Sequence, residues 1–117
     1  PKERSVEVNA TVIKVSTGAT ENIPIARVTN IVQTIKELKE KGFWIVGSDM
    51  QGIDYDKIDY RGKTAIIIGN EGNGMSRLVK ENCDFIATIP MKGKTESLNA
   101  SVSAGILIYE AIKSRNL

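Results

Sequence analysis

The chain has 117 residues, of which 41% are hydrophobic and 26% charged, and its formal net charge is +2. This composition is that of a globular chain and excludes intrinsic disorder, while the length allows one compact domain with a core and not two. The charge is a mild basic bias, which permits a nucleic-acid partner without indicating one.

The residue types limit the chemistry. The sequence contains no histidine, so the commonest general base and the commonest transition-metal ligand are missing. Cys83 is the single cysteine, which rules out an internal disulfide and a cysteine-based zinc site. No apolar run approaches the ~18 residues that cross a membrane, and no signal peptide precedes the fold. We therefore expect a cytoplasmic protein that uses no metal and contacts no membrane.

The first third of the chain contains one ambiguous segment, one short strand and one clear helix. Residues 9–16 are rich in valine and isoleucine, which favours a strand, but Asn9 as a cap and Gly18 as a stop would frame a short helix. Both interpretations stay open, and residues 23–28 are predicted as a strand. Residues 30–41 are predicted as an amphipathic helix, and three residues mark its ends: Asn30 as N-cap, Gln33 in the capping-box position and Gly42 at C′.

Strands and helices alternate through the rest of the chain. Short apolar runs predict three strands: residues 43–47, 64–68 and 85–89. A polar loop follows the first of them and contains Gly52, Asp54 and Asp56. Helical patterns predict two helices: residues 76–81, and from residue 98 or 99 to about 114.

This order predicts an α/β domain with a mainly parallel sheet and flanking helices. In such sheets, ligands bind in loops beyond the carboxyl ends of the strands. Three loops leave strands in this way, after Val46, Ile68 and Ile89. A functional site is expected where these loops meet.

A glycine-rich hexapeptide, Gly-Asn-Glu-Gly-Asn-Gly at residues 69–74, lies between the buried strand and a helix. Its glycines would let a ligand approach the main chain closely. However, the spacing matches neither the dinucleotide motif nor the P-loop, and Glu71 would repel a phosphate. The segment is either a ligand-binding loop or a tight turn, and Glu71 is either a site residue or an acid that stabilises the next helix through its dipole.

Small residues dominate the start of the last helix, over residues 100–105. Ser97 or Asn99 would serve as its N-cap, which accounts for both without a ligand. Gly105 in the helix interior costs about 1 kcal/mol relative to alanine, so close packing against another backbone or a ligand is expected there.

The order and spacing of three segments carry a resemblance to a known family. A strand is followed by the hexapeptide at 69–74, the next strand by Ile-Pro-Met-Lys-Gly at 89–93, and then comes Glu-Ser-Leu-Asn-Ala-Ser-Val-Ser-Ala-Gly at 96–105. This series resembles the signature motifs of the SpoU (TrmH) family of RNA ribose 2′-O-methyltransferases, in the SPOUT class. Residues 17–19, 25–30 and 43–49 extend the resemblance over essentially the whole chain. The chain is most similar to the branch that modifies guanosine in large-subunit (23S) ribosomal RNA.

The resemblance implies a fold, a cofactor and a set of site residues. The fold would be the carboxyl-terminal part of a SPOUT catalytic domain with a deep trefoil knot, over residues 1–117. The cofactor would be S-adenosyl-L-methionine, with its adenosine held by Gly69, Ile89 and Leu98. The rest of the cofactor pocket would be lined by Ser48, Asn70, Gly72 and Met91. The methyl donor and the incoming ribose would be faced by Glu71, Ser97 and Asn99.

The resemblance also implies partners. The substrate would be RNA, with ribosomal RNA favoured over transfer RNA, and the protein would be a homodimer with the last helix in its interface. Lys92 and Lys94 are candidates for phosphate contacts, and solvated loop lysines are the alternative. A family motif with an arginine thought to activate the ribose hydroxyl would lie before Pro1, so we expect this chain alone to be catalytically incompetent.

Two other functions fit the residues less well. A non-catalytic α/β module could hold an adenine nucleotide or RNA, but the hexapeptide lacks a phosphate-binding lysine and carries Glu71. A degenerate interaction domain could keep the fold without the cofactor, but Glu71, Ser97 and Asn99 are all present.

Overall fold

The computed structural model describes residues 10–15, 23–69, 76–90 and 100–115. Within them the elements, in chain order, are β1 (Ala10–Val15), β2 (Ile25–Val28), α1 (Ile31–Glu40), β3 (Trp44–Asp54), a 3-10 turn (Tyr55–Lys57), β4 (Thr64–Gly69), α2 (Arg77–Asn82), β5 (Phe85–Thr88) and α3 (Ala100–Arg115). Residues 10–15, which the sequence left open between strand and helix, form strand β1.

The strands form one sheet in the order β2-β1-β4-β3-β5. Strand β3 pairs in parallel with β4 and β5, whereas β1 pairs antiparallel with β2 and β4. The α/β class with flanking helices is confirmed, but the sheet is mixed rather than mainly parallel. Residues 16–24 join neighbouring strands β1 and β2 and are fewer than the dozen or more that a parallel crossover needs. The parallel half, β4-β3-β5, contains the three strand ends where a site was expected.

Helices cover both faces of the sheet. On one face, α3 places Leu107 and Ala111 against sheet residues that include Ile66 and Ile68. On the other face, Ile35 and Leu38 of α1 and Val79 of α2 join a second buried cluster. Strand β4 is buried from Thr64 to Ile68, as its unbroken apolar run predicted.

Helix α1 begins and ends as the sequence predicts. The Asn30 side chain accepts a hydrogen bond from the Gln33 backbone N–H at 3.2 Å, which caps the helix. The Gln33 side chain donates to Glu37 instead of closing a capping box. At the other end Gly42 has φ +90°, its N–H donates to the Lys39 carbonyl, and the Phe43 N–H donates to the Leu38 carbonyl. This pair of bonds is a Schellman motif, which requires a residue such as glycine at positive φ.

Strand β3 is longer than predicted. The expected polar loop after residue 47 is wrong for Gly52 and Asp54, because β3 continues to Asp54. A register shift lies between Ser48 and Ile53, so that Ala87 of β5 pairs with both. Residues 50–54 are exposed, and their polar character therefore reflects solvent rather than the end of a strand.

The remaining elements agree with their predicted positions to within two residues. Ser76 caps α2, and its side chain accepts a hydrogen bond from the Val79 N–H at 3.2 Å. In the described part of the chain, no helix has both the length and the apolar character needed to cross a membrane.

Candidate functional site

The carboxyl ends of β4 and β5 lie on either side of Ser48, within strand β3. Ser48 of β3 pairs with Ile68 of β4 on one side and with Ala87 of β5 on the other. Neighbouring strands in a sheet are about 4.8 Å apart, so this row is ~10 Å wide. We call this part of the sheet the carboxyl edge: residues 48–49 of β3, Gly69 at the end of β4, and residues 88–89 at the end of β5.

Three of the predicted cofactor-binding residues lie at the carboxyl edge: Ser48, Gly69 and Ile89. Ser48 belongs to the row itself, Gly69 is the last residue of β4, and Ile89 follows β5 directly. All three are half-buried, and Ile89 packs against the α3 side of the core. A hydroxyl, a residue without a side chain and a branched apolar side chain thus occur together, which suits a ligand with both polar and flat apolar parts, such as adenosine.

The other predicted site residues lie outside the described residues: Asn70, Glu71, Gly72, Met91, Ser97, Leu98 and Asn99. Their segments attach to the carboxyl edge at known points. Residues 70–75 connect Gly69 to Ser76, and residues 91–99 lie between β5 and α3. These are two of the three places where the sequence predicted the site; the third, after Val46, is occupied by the continuing strand β3.

An ion pair at this edge was not predicted. Asp49, next to Ser48, places Oδ2 at 2.7 Å from Nζ of Lys80 on α2. The Asp49 side chain is only 11% exposed, and its Oδ1 accepts a hydrogen bond from the Met50 N–H at 2.7 Å. The only sequence signal for it is an acidic residue directly after the apolar part of a strand.

Two further contacts hold the end of β5. The Thr88 hydroxyl donates to the Met50 carbonyl at 2.9 Å. Gly52 lies so close to Ile86 that a Cβ atom on Gly52 would be 2.5 Å from the Ile86 carbonyl oxygen. Residues 49–54 thus contact both α2 and β5.

The strongly perturbed acidic groups lie away from the carboxyl edge. Burial raises the pKa of Cys83 to about 11, with the nearby Asp84 charge adding to the effect and Lys39 opposing it. Burial also raises the pKa of Tyr60, whose hydroxyl donates to the Tyr55 carbonyl. A thiol held protonated in this way is a poor nucleophile. Among the described residues, no group of three or more acidic or cysteine side chains is arranged to hold a metal ion.

Helix α3 combines a buried face with an exposed apolar one. Ser103, Leu107 and Ala111 are buried against the sheet, whereas Val102 and Tyr109 are 43% and 67% exposed. Close packing was expected at Gly105, but no described atom lies within 4 Å of where its Cβ would be. Among the described residues no such packing occurs, and Gly105 is on the exposed face.

Solved structures with this arrangement are RNA methyltransferases. A structure titled as an RNA 2′-O ribose methyltransferase is 31% identical, with a TM-score of 0.68, and covers 73% of this chain and 33% of that chain. AviRb from Streptomyces viridochromogenes, a SpoU methyltransferase solved in complex with the cofactor AdoMet, is 31% identical, with a TM-score of 0.62, and covers 74% and 35%. The fold is therefore that of the SPOUT methyltransferases.

The sequence gives the family directly. Residues 1–109 match the SpoU rRNA Methylase family, and the chain belongs to that family. A relative in Bacillus subtilis (strain 168), provisionally named TrmH family tRNA/rRNA methyltransferase YacO, is 53% identical over 99% of this chain and 47% of its own length. The chain spans about half the length of the curated relatives it matches.

Proposed function

We propose that this chain forms the S-adenosylmethionine pocket of an enzyme that methylates a ribose 2′-hydroxyl in RNA, with ribosomal RNA favoured over transfer RNA. The observation that carries the proposal is the row Ile68-Ser48-Ala87, which brings Ser48, Gly69 and Ile89 to one edge. The family match and the AdoMet complex of AviRb support it. The cytoplasmic location expected from the sequence stays a prediction.

At the carboxyl edge, each described residue suits a part of the cofactor. Gly69 has no side chain, so a ligand can approach its main chain closely, as adenine recognition through the main chain requires. Ile89 offers an apolar surface for the base, and the Ser48 hydroxyl can donate or accept a hydrogen bond. Leu98 would complete the adenosine pocket, and the rest would be lined by Asn70, Gly72 and Met91.

Bound S-adenosylmethionine supplies a methyl group activated by its sulfonium. Because the transfer is a direct displacement, the protein mainly orients the donor and the ribose oxygen. A ribose hydroxyl is a weak nucleophile, so a neighbouring group must polarise it or accept its proton. Glu71, Ser97 and Asn99 are the proposed residues for these roles, with the Glu71 carboxylate as the strongest proton acceptor among them.

Helix α3 is proposed to pass through a trefoil knot and to form a homodimer interface. Val102, Gly105 and Tyr109 share its exposed face, and an apolar face of this kind is typical of a helix buried against a partner. In a monomer, Gly105→Ala should stabilise the helix by up to ~1 kcal/mol. In a dimer that packs on Gly105, the same substitution should weaken self-association, which sedimentation equilibrium measures.

Calorimetric titration with S-adenosylmethionine, S-adenosylhomocysteine and ATP tests the pocket. We expect the first two to bind and ATP not to bind. Ser48→Ala should weaken binding, whereas Ser114→Ala in the last turn of α3 should not, since each substitution removes one serine hydroxyl. Binding of ATP alone would contradict the proposal and favour a nucleotide-binding module.

The position of methylation is tested on the product RNA. In the protein that contains these residues, transfer of a labelled methyl group to ribosomal and transfer RNA is followed by alkaline hydrolysis. A methylated 2′-oxygen cannot attack the neighbouring phosphate, so the label should appear in alkali-resistant dinucleotides. Label in single nucleotides would place the methyl group on a base and contradict the proposed reaction.

A further inference from the structure

The segment after Ser48 connects the two parts of the chain that leave the carboxyl edge. We call residues 49–54 the β3 extension. Asp49 pairs with Lys80 of α2, the helix that follows residues 70–75. Met50 accepts a hydrogen bond from Thr88, at the end of the strand that precedes residues 91–99. The β3 extension therefore contacts α2, which follows residues 70–75, and β5, which precedes residues 91–99.

The Asp49–Lys80 pair differs from an ordinary surface ion pair. Its atoms are 2.7 Å apart, and the carboxylate is 11% exposed while the lysine is 41% exposed. A carboxylate so little exposed needs a charged or hydrogen-bonding partner, since its desolvation is otherwise uncompensated. On the same helix, Arg77 and Glu81 are 3.2 Å apart with exposures of 93% and 58%. Exposed pairs of that kind contribute little, so they provide an internal control.

The pair fixes the position of a short helix. Helix α2 has six residues and one buried side chain, Val79. Val79 packs with α1 on one face of the sheet, and the contact at Lys80 joins the helix to β3 as well. Residues 70–75 connect Gly69, the last residue of β4, with Ser76, the N-cap of α2. The position of α2 therefore sets where this segment ends.

We infer that Asp49 is a positioning residue of the methyltransferase site: through Lys80 it holds α2, whose N-cap Ser76 follows residues 70–75 in the chain, against the carboxyl edge. The inference rests on the proposed cofactor site. It assigns Asp49 no contact with the cofactor and no part in the chemistry. Asp49→Asn keeps the shape and a hydrogen-bonding oxygen but removes the charge that attracts Lys80.

The test combines a double-mutant cycle with a matched control. Asp49→Asn, Lys80→Gln and the double variant are compared with Arg77→Gln/Glu81→Gln by calorimetry with S-adenosylhomocysteine, at a temperature where each is fully folded. We expect each single variant to bind about tenfold more weakly and the double variant no more weakly than either, because both remove one interaction. The control should stay within about twofold. Lys80→Arg should recover most of the affinity.

The outcomes separate this inference from the proposed function. If the wild-type chain binds and both single variants bind within about twofold of it, the inference is wrong and the proposed site stands. If the wild-type chain does not bind S-adenosylhomocysteine, hydrogen exchange of the α2 amides tests the role of Asp49 instead. We then expect faster exchange for residues 77–82 in both single variants and not in the control, and equal exchange rates would overturn the inference. If Asp49→Asn does not fold, Lys80→Gln alone provides the same comparisons.

Discussion

The two ends of the parallel strands are held in different ways. We call the end opposite the carboxyl edge, residues 44–45, 63–64 and 84–85, the amino edge. At the amino edge, the Ile45 N–H donates to Asp84 Oδ2 and the Asp84 N–H donates to the Ile45 carbonyl, both at 2.8 Å. The Trp44 N–H donates to the Lys63 carbonyl at 2.8 Å, and the rings of Trp44 and Phe85 lie 6.3 Å apart. Main-chain hydrogen bonds, the Asp84 carboxylate and a ring contact thus hold this edge.

The carboxyl edge is held by contacts from side chains of α2 and β5. Lys80 reaches Asp49, Thr88 reaches Met50, and the strands lead into residues 70–75 and 91–99. In α/β proteins ligands bind beyond the carboxyl ends of the strands, so the opposite ends can contribute to stability without taking part in binding. Substitutions at the amino edge should therefore change stability alone, and those at the carboxyl edge should change binding as well.

The largest effect is expected at the amino edge from Asp84→Ala. It removes the acceptor of the Ile45 N–H, a hydrogen bond to a charged group, and should lower the free energy of unfolding by about 1.5–3 kcal/mol. Affinity of the folded protein for S-adenosylhomocysteine should not change. Chemical denaturation and calorimetry measure the two quantities, and Glu81→Ala on the surface is the control. A loss of affinity in folded Asp84→Ala protein would break the division between the edges.

Gly52→Ala should be nearly as costly, but on the carboxyl side. Its Cβ would be 2.5 Å from the Ile86 carbonyl oxygen, and overpacking of this kind costs about 1–3 kcal/mol. Because the β3 extension must move, binding should weaken too. Gly105→Ala, with no described atom within 4 Å of its Cβ, is the matched control and should not destabilise the monomer. Thermal unfolding that leaves Gly52→Ala as stable as the wild type would contradict the close approach.

The amino edge should also determine the response to alkaline pH. Burial raises the pKa of Cys83 to about 11, whereas an unfolded thiol ionises near ~8.5. The unfolded chain then loses a proton that the folded chain keeps, so stability falls as pH rises from about 9 to about 11, by at most ~1.4 kcal/mol per pH unit. Denaturation of wild type and Cys83→Ser from pH 8 to 10 measures this, and equal slopes would exclude Cys83 as the cause.

The smallest effects come from two matched helix caps. The side chains of Asn30 and Ser76 each accept a 3.2 Å hydrogen bond from the backbone N–H of the third residue of their helix. Asn30→Ala and Ser76→Ala should therefore each lower the free energy of unfolding by about 1 kcal/mol. Only Ser76→Ala should also weaken cofactor binding, because Ser76 ends the segment 70–75. Denaturant midpoints and calorimetry compare them, and equal losses of affinity would show that caps act through stability alone.

Local signals predicted most of the elements. Asn30 and Gly42 marked the ends of α1 because capping chemistry depends on residues close in sequence. The unbroken apolar run at β4 predicted burial on both faces, and the loops leaving Gly69 and Ile89 were predicted to meet. The family resemblance supplied the class of enzyme, which no periodicity could have done.

What the sequence missed depends on contacts between distant residues. The antiparallel pairing of β1 with β4 joins residues about fifty positions apart, and nothing local to either strand specifies its direction. The extension of β3 to Asp54 depends on pairing with β5, so a polar, solvent-exposed strand was taken for a loop. The Asp49–Lys80 pair joins two residues that are each unremarkable in sequence.

Amide chemical-shift mapping during a titration with S-adenosylhomocysteine would show which end of the strands binds the cofactor. We expect the largest shifts at Ser48, Gly69 and Ile89, and small shifts at Trp44, Thr64 and Phe85 on the amino edge of the same strands. The largest shifts on the amino edge, or no saturable shifts on either edge, would contradict a cofactor pocket at the carboxyl edge.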